Sequence, residues 1–248
     1  MAERLLNKVA VLTGAGGGIG RAIAGQFLSE GAKVVLFGRR HETLEGIART
    51  APARALSVAG DVTVAGDLVQ LVDATRRRFG EIDVLLPCAG VARSLALEAC
   101  TEQAVGEQFA VNVSGVLQTV RLCLPLLREG AAVLFLTACL PEMNLPGLSI
   151  HNAGKAALTS LAQSLAVELA PRGIRVNSIA PGPIDSPLWK SSALPDGVLH
   201  ELSKRLGQPD GVAETAVFLA SEAAQDISGQ EFVVAETSSK CPGSQGQQ

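Results

Sequence analysis

Thr13-Gly14-Ala15-Gly16-Gly17-Gly18-Ile19-Gly20 stands between an apolar run at residues 8–12 and a segment whose Ile19, Ile23 and Phe27 share one helical face. A strand that breaks on glycines and re-forms at once as a helix aims unpaired backbone N–H groups and the positive end of a helix dipole at one point. A diphosphate suits that point. Gly14 fits the tight turn, Gly18 leaves room for the ligand, and Gly20 lets the helix pack on the strand. Gly16, Gly17 and Ile19 complete the loop.

Outward from this loop, apolar runs recur at residues 33–37, 55–59, 82–86, 133–136, 175–179 and 231–234. Amphipathic segments separate them, such as the one carrying Leu158, Leu161, Leu165 and Leu169 on one face. Strand and helix in alternation predict an α/β chain: a single doubly wound domain with a seven-stranded parallel sheet and helices on both faces. A hydrophobic share of 47% and mean hydropathy of +0.29 agree, because parallel strands covered on both faces lose their polar alternation.

The 248 residues suit one domain, and no linker divides them. The domain is expected to run over residues 1–237. Residues 238–248, rich in Ser, Gly and Gln, read as a disordered tail. Residues 181–206 carry Pro181, Pro183, Pro187 and Pro195 without a clean period, too long for a plain connection, and are expected to form a substrate flap.

The net charge of −3 with scattered cations excludes the electrostatic footprint of a nucleic-acid or anionic-membrane binder, leaving small molecules as the expected partners. Apolar stretches are broken within about ten residues, short of a bilayer span. The first eight residues lack an export profile, so a cytoplasmic protein is expected. Five cysteines without a CxxC pair, and three histidines without ligand spacing to them, predict free thiols and no metal site.

The spacing TGxxxGxG, with Asp61-Val62, Ala89-Gly90, Asn112, Lys155 and Pro181-Gly182, resembles the short-chain dehydrogenase/reductase family over residues 5–235. That resemblance implies a Rossmann-type, NAD(P)-dependent oxidoreductase. Asp61 would contact the adenine with Val62 packed beside it, although Asp61 or Thr63 can equally cap the next helix. Lys155 would reach the nicotinamide ribose, and Ile184 and Ser186 the carboxamide. The helices at 101–128 and 150–170 resemble those through which relatives form dimers or tetramers.

Leu36-Phe37-Gly38-Arg39-Arg40 offers no carboxylate to the ribose hydroxyls, and a guanidinium at Arg39 would pair with a 2′-phosphate, favouring NADP(H) over NAD(H). Two solvated arginines opening a helix are the alternative, and Gly17 lacks the basic side chain of many NADP-type relatives. Pro87-Cys88 stands where the family has two asparagines before Ala89-Gly90.

The chemical half departs further, because the chain has no tyrosine. The family uses a serine, a tyrosine, a lysine one helical turn later and an asparagine. Lys155 and Asn112 are retained, His151 takes the tyrosine place, and Ala138 the serine place. Repelled by Lys155, the imidazole would be mostly neutral and still have one N–H to donate. Ala138 offers no donor. Thr137 should face the opposite side of its strand, which leaves Cys139, Asn144, Ser149 or Asn152 as loop candidates.

Asn112 can alternatively bond a bulged helical backbone. Leu188, Trp189 and Leu194 are expected to line an apolar pocket. The main functional reading is an NADP(H)-dependent carbonyl/alcohol oxidoreductase with His151 as atypical proton donor. The alternatives are a redox-neutral isomerase, dehydratase or cyclase in a biosynthetic pathway, and a cofactor-binding pseudoenzyme.

Overall fold

The computed structural model describes residues 3–139 and 144–235. Its seven strands are β1 (Val9–Thr13), β2 (Lys33–Gly38), β3 (Ala55–Ala59), β4 (Ile82–Pro87), β5 (Leu127–Leu136), β6 (Arg175–Pro181) and β7 (Glu231–Val234). They form one parallel sheet in the order β3-β2-β1-β4-β5-β6-β7. The expected α/β Rossmann architecture is therefore present.

Burial follows from the pleat. Ala10, Leu12, Val34 and Leu36 pack beneath α1 (Gly18–Ser29), α2 (His41–Ala48) and α9 (Pro209–Ala220), while Val11, Val35, Phe37 and Phe135 pack on the other face. That second face lies under α3 (Ala65–Phe79), α5 (Val116–Cys123) and α6 (Ser149–Leu169). Both sides of each central strand are apolar, hence the unbroken hydrophobic runs. On the helices, Ile23, Phe27, Leu158 and Leu169 are buried, and Ile19, Leu161 and Leu165 pack half-buried against the same clusters.

Two elements exceed their sequence expectation. Strand β5 starts at Leu127, six residues before the apolar run at 133. Its leading Arg128, Glu129 and Gly130 are exposed and fall in a register shift, Ile82 pairing with Leu127 and Val84 with Ala132, with Gly130 at φ +76° between them. The flap is also more regular than its prolines suggested. It contains α7 (Pro187–Lys190) and α8 (Asp196–Ser203), with Pro187 at the first position of α7, where a missing N–H costs nothing. A bridge between Ile184 and Gly207 closes its base.

One helical run, Glu102–Leu126, is long and apolar enough to match a bilayer span, with mean hydropathy 1.3, although no uninterrupted apolar stretch of that length exists in the sequence. It comprises α4 (Glu102–Phe109), a π-helical turn (Ala110–Gly115) and α5, and ends in a 3₁₀ turn; α4 packs on α6 and α5 on α3 and β4, as a layer over the sheet requires. Cys88, Cys100, Cys123 and Cys139 form no disulfide, and no metal-binding cluster exists among the described residues. The tail at 238–248 and Cys241 lie outside them.

Candidate active site

The chain runs from β1 outward to β3, then returns to β4 on the other side of β1. Ligands of open α/β sheets bind where the order reverses. Here a cleft of about 700 Å³ opens at the carboxyl ends of β1 and β4. Every cofactor residue expected from the sequence lines it: Gly14, Gly16, Gly17, Gly18, Ile19, Gly20, Arg39, Asp61, Val62, Ala89, Gly90, Lys155, Pro181, Gly182, Ile184 and Ser186. His151 lines it too, while Asn112 does not.

The glycines are geometric necessities. Gly14 has φ of +66°, and a Cβ there would stand 2.8 Å from the backbone of Ala89. A Cβ on Gly20 would stand 2.4 Å from the carbonyl oxygen of Gly14, so this glycine packs on its own loop, where the sequence suggests the strand. A Cβ on Gly18 would meet Cβ of Ser186 at 2.7 Å, which places the flap directly against the loop. Bare backbone at a helix start, walled by a flap, is a cradle that fits a dinucleotide diphosphate.

The two arginines divide. The Arg40 guanidinium donates to the carbonyl oxygen of Gly16 at 2.6 Å and straps the loop to the start of α2, a contact no motif announces. Arg39 is exposed at the cleft rim, and its charge acts on Asp61. Burial pushes the Asp61 carboxyl up, but the N–H and O–H of Thr63, both donating to Oδ1, together with Arg39 hold it below its ordinary value. Asp61 thus closes a local turn and leaves α3 without a side-chain cap.

Pro87 ends β4 opposite Thr13, whose hydroxyl accepts the Ala89 N–H at 3.2 Å. Cys88 lines the cleft, and burial pushes its thiol up to about 12, with the nearby Lys155 charge acting the other way.

On α6, His151 and Lys155 are buried one turn apart and both face the cleft. Nζ of Lys155 donates to the carbonyl oxygen of Leu136 at 2.6 Å, and burial lowers its pKa to about 8, against the opposing effect of Cys88. Asn112 occupies the π-helical turn and clamps the backbone of Val91. Its Oδ1 accepts the Val91 N–H at 2.8 Å, and its Nδ2 donates to the Val91 carbonyl at 2.9 Å.

Nδ1 of His151 lies 2.9 Å from that same Val91 oxygen. A carbonyl only accepts, so the ring nitrogen facing it carries the proton. The N–H expected to meet a substrate is spent on Val91. Burial first, and Lys155 second, lower the His151 pKa to about 4, partly opposed by the Val91 bond.

Ala138, expected at the serine place, packs with Leu148, Trp189, Leu194 and Leu202 and has no side-chain donor. Thr137 lines the cleft, but its hydroxyl lies 3.1 Å from the carbonyl of Ile179 and 2.9 Å from Oε1 of Glu231. Cys139, Asn144, Ser149 and Asn152 do not line the cleft. Leu188 and Trp189 do, the latter anchored by its Nε1 donating to the Ile184 carbonyl at 2.8 Å, whereas Leu194 lies behind them in the flap core. Sequence reasoning missed Val91, because a backbone carbonyl leaves no residue-type signal.

The buried imidazole makes stability depend on pH. The unfolded chain protonates this ring near pH 6.5 and the folded chain only near 4, so stability is lost as pH falls through that window, by about 3 kcal/mol. Urea midpoints of the wild type and His151→Phe, measured from pH 7 to 4, are expected to show the steeper decline in the wild type. Parallel curves would remove the shift.

A family model described as "Enoyl-(Acyl carrier protein) reductase" matches residues 14–236. The 2-(R)-hydroxypropyl-CoM dehydrogenase of Xanthobacter autotrophicus is 35% identical over 243 residues, covering 92% of this chain and 97% of that protein. Among solved structures, a short-chain dehydrogenase/reductase titled glucose/ribitol dehydrogenase, from Brucella melitensis, superposes with TM-score 0.87 at 31% identity, covering 94% of this chain and 97% of that one. A 3-ketoacyl-(acyl-carrier-protein) reductase from the same organism, complexed with NADH, gives 0.85 at 32%, covering 93% and 97%. With the glycine cradle, the switch-point cleft and the His151–Lys155 pair already in place, these likenesses assign the chain to the short-chain dehydrogenase/reductase family of oxidoreductases.

Proposed function

We propose that the chain is an NADP(H)-dependent oxidoreductase interconverting a carbonyl and an alcohol, with His151 exchanging the proton that the family's tyrosine handles. The observation that carries this reading is the presence of His151 and Lys155 on one helix face in the same cleft as the glycine loop. Gly14 to Gly20 would hold the diphosphate, Asp61 and Val62 the adenine, Lys155 the ribose, and Ile184 and Ser186 the carboxamide. When bound, the nicotinamide supplies or takes up the hydride. The likeness to a reductase solved with NADH supports a pyridine dinucleotide here.

Asn112 acts by position, since both polar atoms of its side chain are engaged with Val91. The flap residues Leu188 and Trp189 exclude water and favour an apolar substrate body. The reading is tested by NADPH absorbance with ketones and secondary alcohols. His151→Phe is expected to lower the rate by about 10²- to 10⁴-fold, the usual contribution of a positioned acid or base. A variant as fast as the wild type would remove His151 from the reaction.

Preference for the 2′-phosphate is assigned to Arg39, which is free at the rim where Arg40 is committed to Gly16. Hydrogen bonds to charged groups contribute about 1.5–3 kcal/mol, so Arg39→Ala is expected to weaken NADPH binding by roughly 10- to 100-fold while NADH changes little. Calorimetric titration with both nucleotides reads this. Equal weakening of the two would contradict it.

The donor-free Ala138 gives ground for a second reading, a redox-neutral isomerase, dehydratase or cyclase on the same scaffold. Product formation without any NADPH absorbance change would select it. Exposed Leu97, Leu117 and Val167 around α4–α6 support a homo-oligomer, which sedimentation would test.

A further inference from the structure

We infer that resting His151 is a proton acceptor, the reverse of a phenol donor, so that the substrate group recognised in the cleft is a hydroxyl and the ligand bound by the resting protein is an alcohol. This rests on the hydride-transfer reading above and specifies its substrate and direction.

A neutral imidazole has one N–H. The Val91 carbonyl takes it at Nδ1, which leaves Nε2 as a bare lone pair. No described residue bonds Nε2, and His151 lines the cleft. Val91 is itself held at both ends by Asn112, so the tautomer is fixed by a clamp that neither cofactor nor substrate supplies. The charged group acting on the ring is Lys155, from the same helix; Cys88, from the end of β4, stays a neutral thiol.

A carbonyl oxygen brought to Nε2 would set two acceptors against each other. Three neighbours give no relief: Ala138 has no polar atom, the Thr137 hydroxyl is engaged with Ile179 and Glu231, and Asn112 is spent on Val91. An alcohol O–H meets the lone pair directly. On reaction, the O–H bond breaks toward Nε2, its electron pair becomes the second bond of the new carbonyl, and the C–H pair leaves as hydride to the oxidised nicotinamide. The His151 ring ends protonated on both nitrogens and loses the Nε2 proton to solvent through the open cleft.

The test needs no turnover. Replacing the exposed His41 and His200 by Gln leaves His151 as the sole histidine, and ¹⁵N-histidine spectra of this variant report which ring nitrogen carries the proton. A protonated Nδ1 and bare Nε2 at pH 7 are expected, with Nε2 shifting on addition of cyclohexanol and not of cyclohexanone. A proton on Nε2 at pH 7, or equal responses to the two ligands, nil included, overturns the inference. Neither result bears on whether the wild type turns over NADP(H), which absorbance decides separately.

Discussion

Gly20→Val is expected to lose about 3 kcal/mol of stability and at least about 100-fold in nucleotide affinity, the larger loss being that of function. The Cβ would stand 2.4 Å from the Gly14 carbonyl oxygen and 3.0 Å from Cα of Ala15, and both are backbone atoms that no rotamer change removes. Overpacking a tight site typically costs about 1–3 kcal/mol, and β-branching adds crowding inside a helix. The loop cannot yield on its far side. Gly14 is held at φ +66° against the backbone of Cys88 and Ala89, so relief requires opening the turn that aims the N–H groups.

Gly25, in the same helix, separates the two effects. A Cβ there meets nothing within 4 Å, so Gly25→Ala is expected to gain up to about 1 kcal/mol from helix propensity without touching binding. Urea midpoints and NADPH titrations on both variants measure the contrast. If Gly20→Val bound NADPH within about threefold of the wild type, the loop would not be the phosphate cradle.

Much of the fold was legible because its physics is local. Each of the seven apolar runs became a strand, since a run buried on both faces needs no partner to be recognised. The start of β5 escaped because Arg128, Glu129 and Gly130 are exposed and fall in a register shift opposite β4, which leaves no apolar run to read there. That the glycine loop lines the cleft was legible for the same local reason: glycine at fixed offsets records where backbone is left bare. The chemistry was half legible. Spacing from Lys155 located His151, but its tautomer depends on a carbonyl 60 residues away, and the direction of the Thr137 hydroxyl on Glu231, 94 residues away. The strap from Arg40 to Gly16 likewise needed the fold to bring α2 over the loop.

Between pH 5 and 8, kcat/KM for carbonyl reduction is expected to fall about tenfold per unit, roughly a thousandfold in all, while kcat/KM for oxidation of the matching alcohol stays level. The reason is the protonation state that each direction requires. Reduction needs a proton on Nε2, present only when His151 is cationic, and burial and Lys155 hold that form below about pH 4. Oxidation needs the bare nitrogen, which is already the resting state throughout the window. Lys155, lowered to about 8, bounds the range from above, since loss of its charge would weaken the ribose contact proposed for it. The two profiles are thermodynamically consistent, because oxidation releases one proton and its equilibrium constant shifts tenfold per pH unit. A donor still protonated at neutral pH, as a phenol is, would give the opposite pair: level reduction and oxidation climbing tenfold per unit. Steady-state measurements in both directions on one alcohol–ketone pair distinguish the patterns, and the climbing oxidation profile would return His151 to the role of donor.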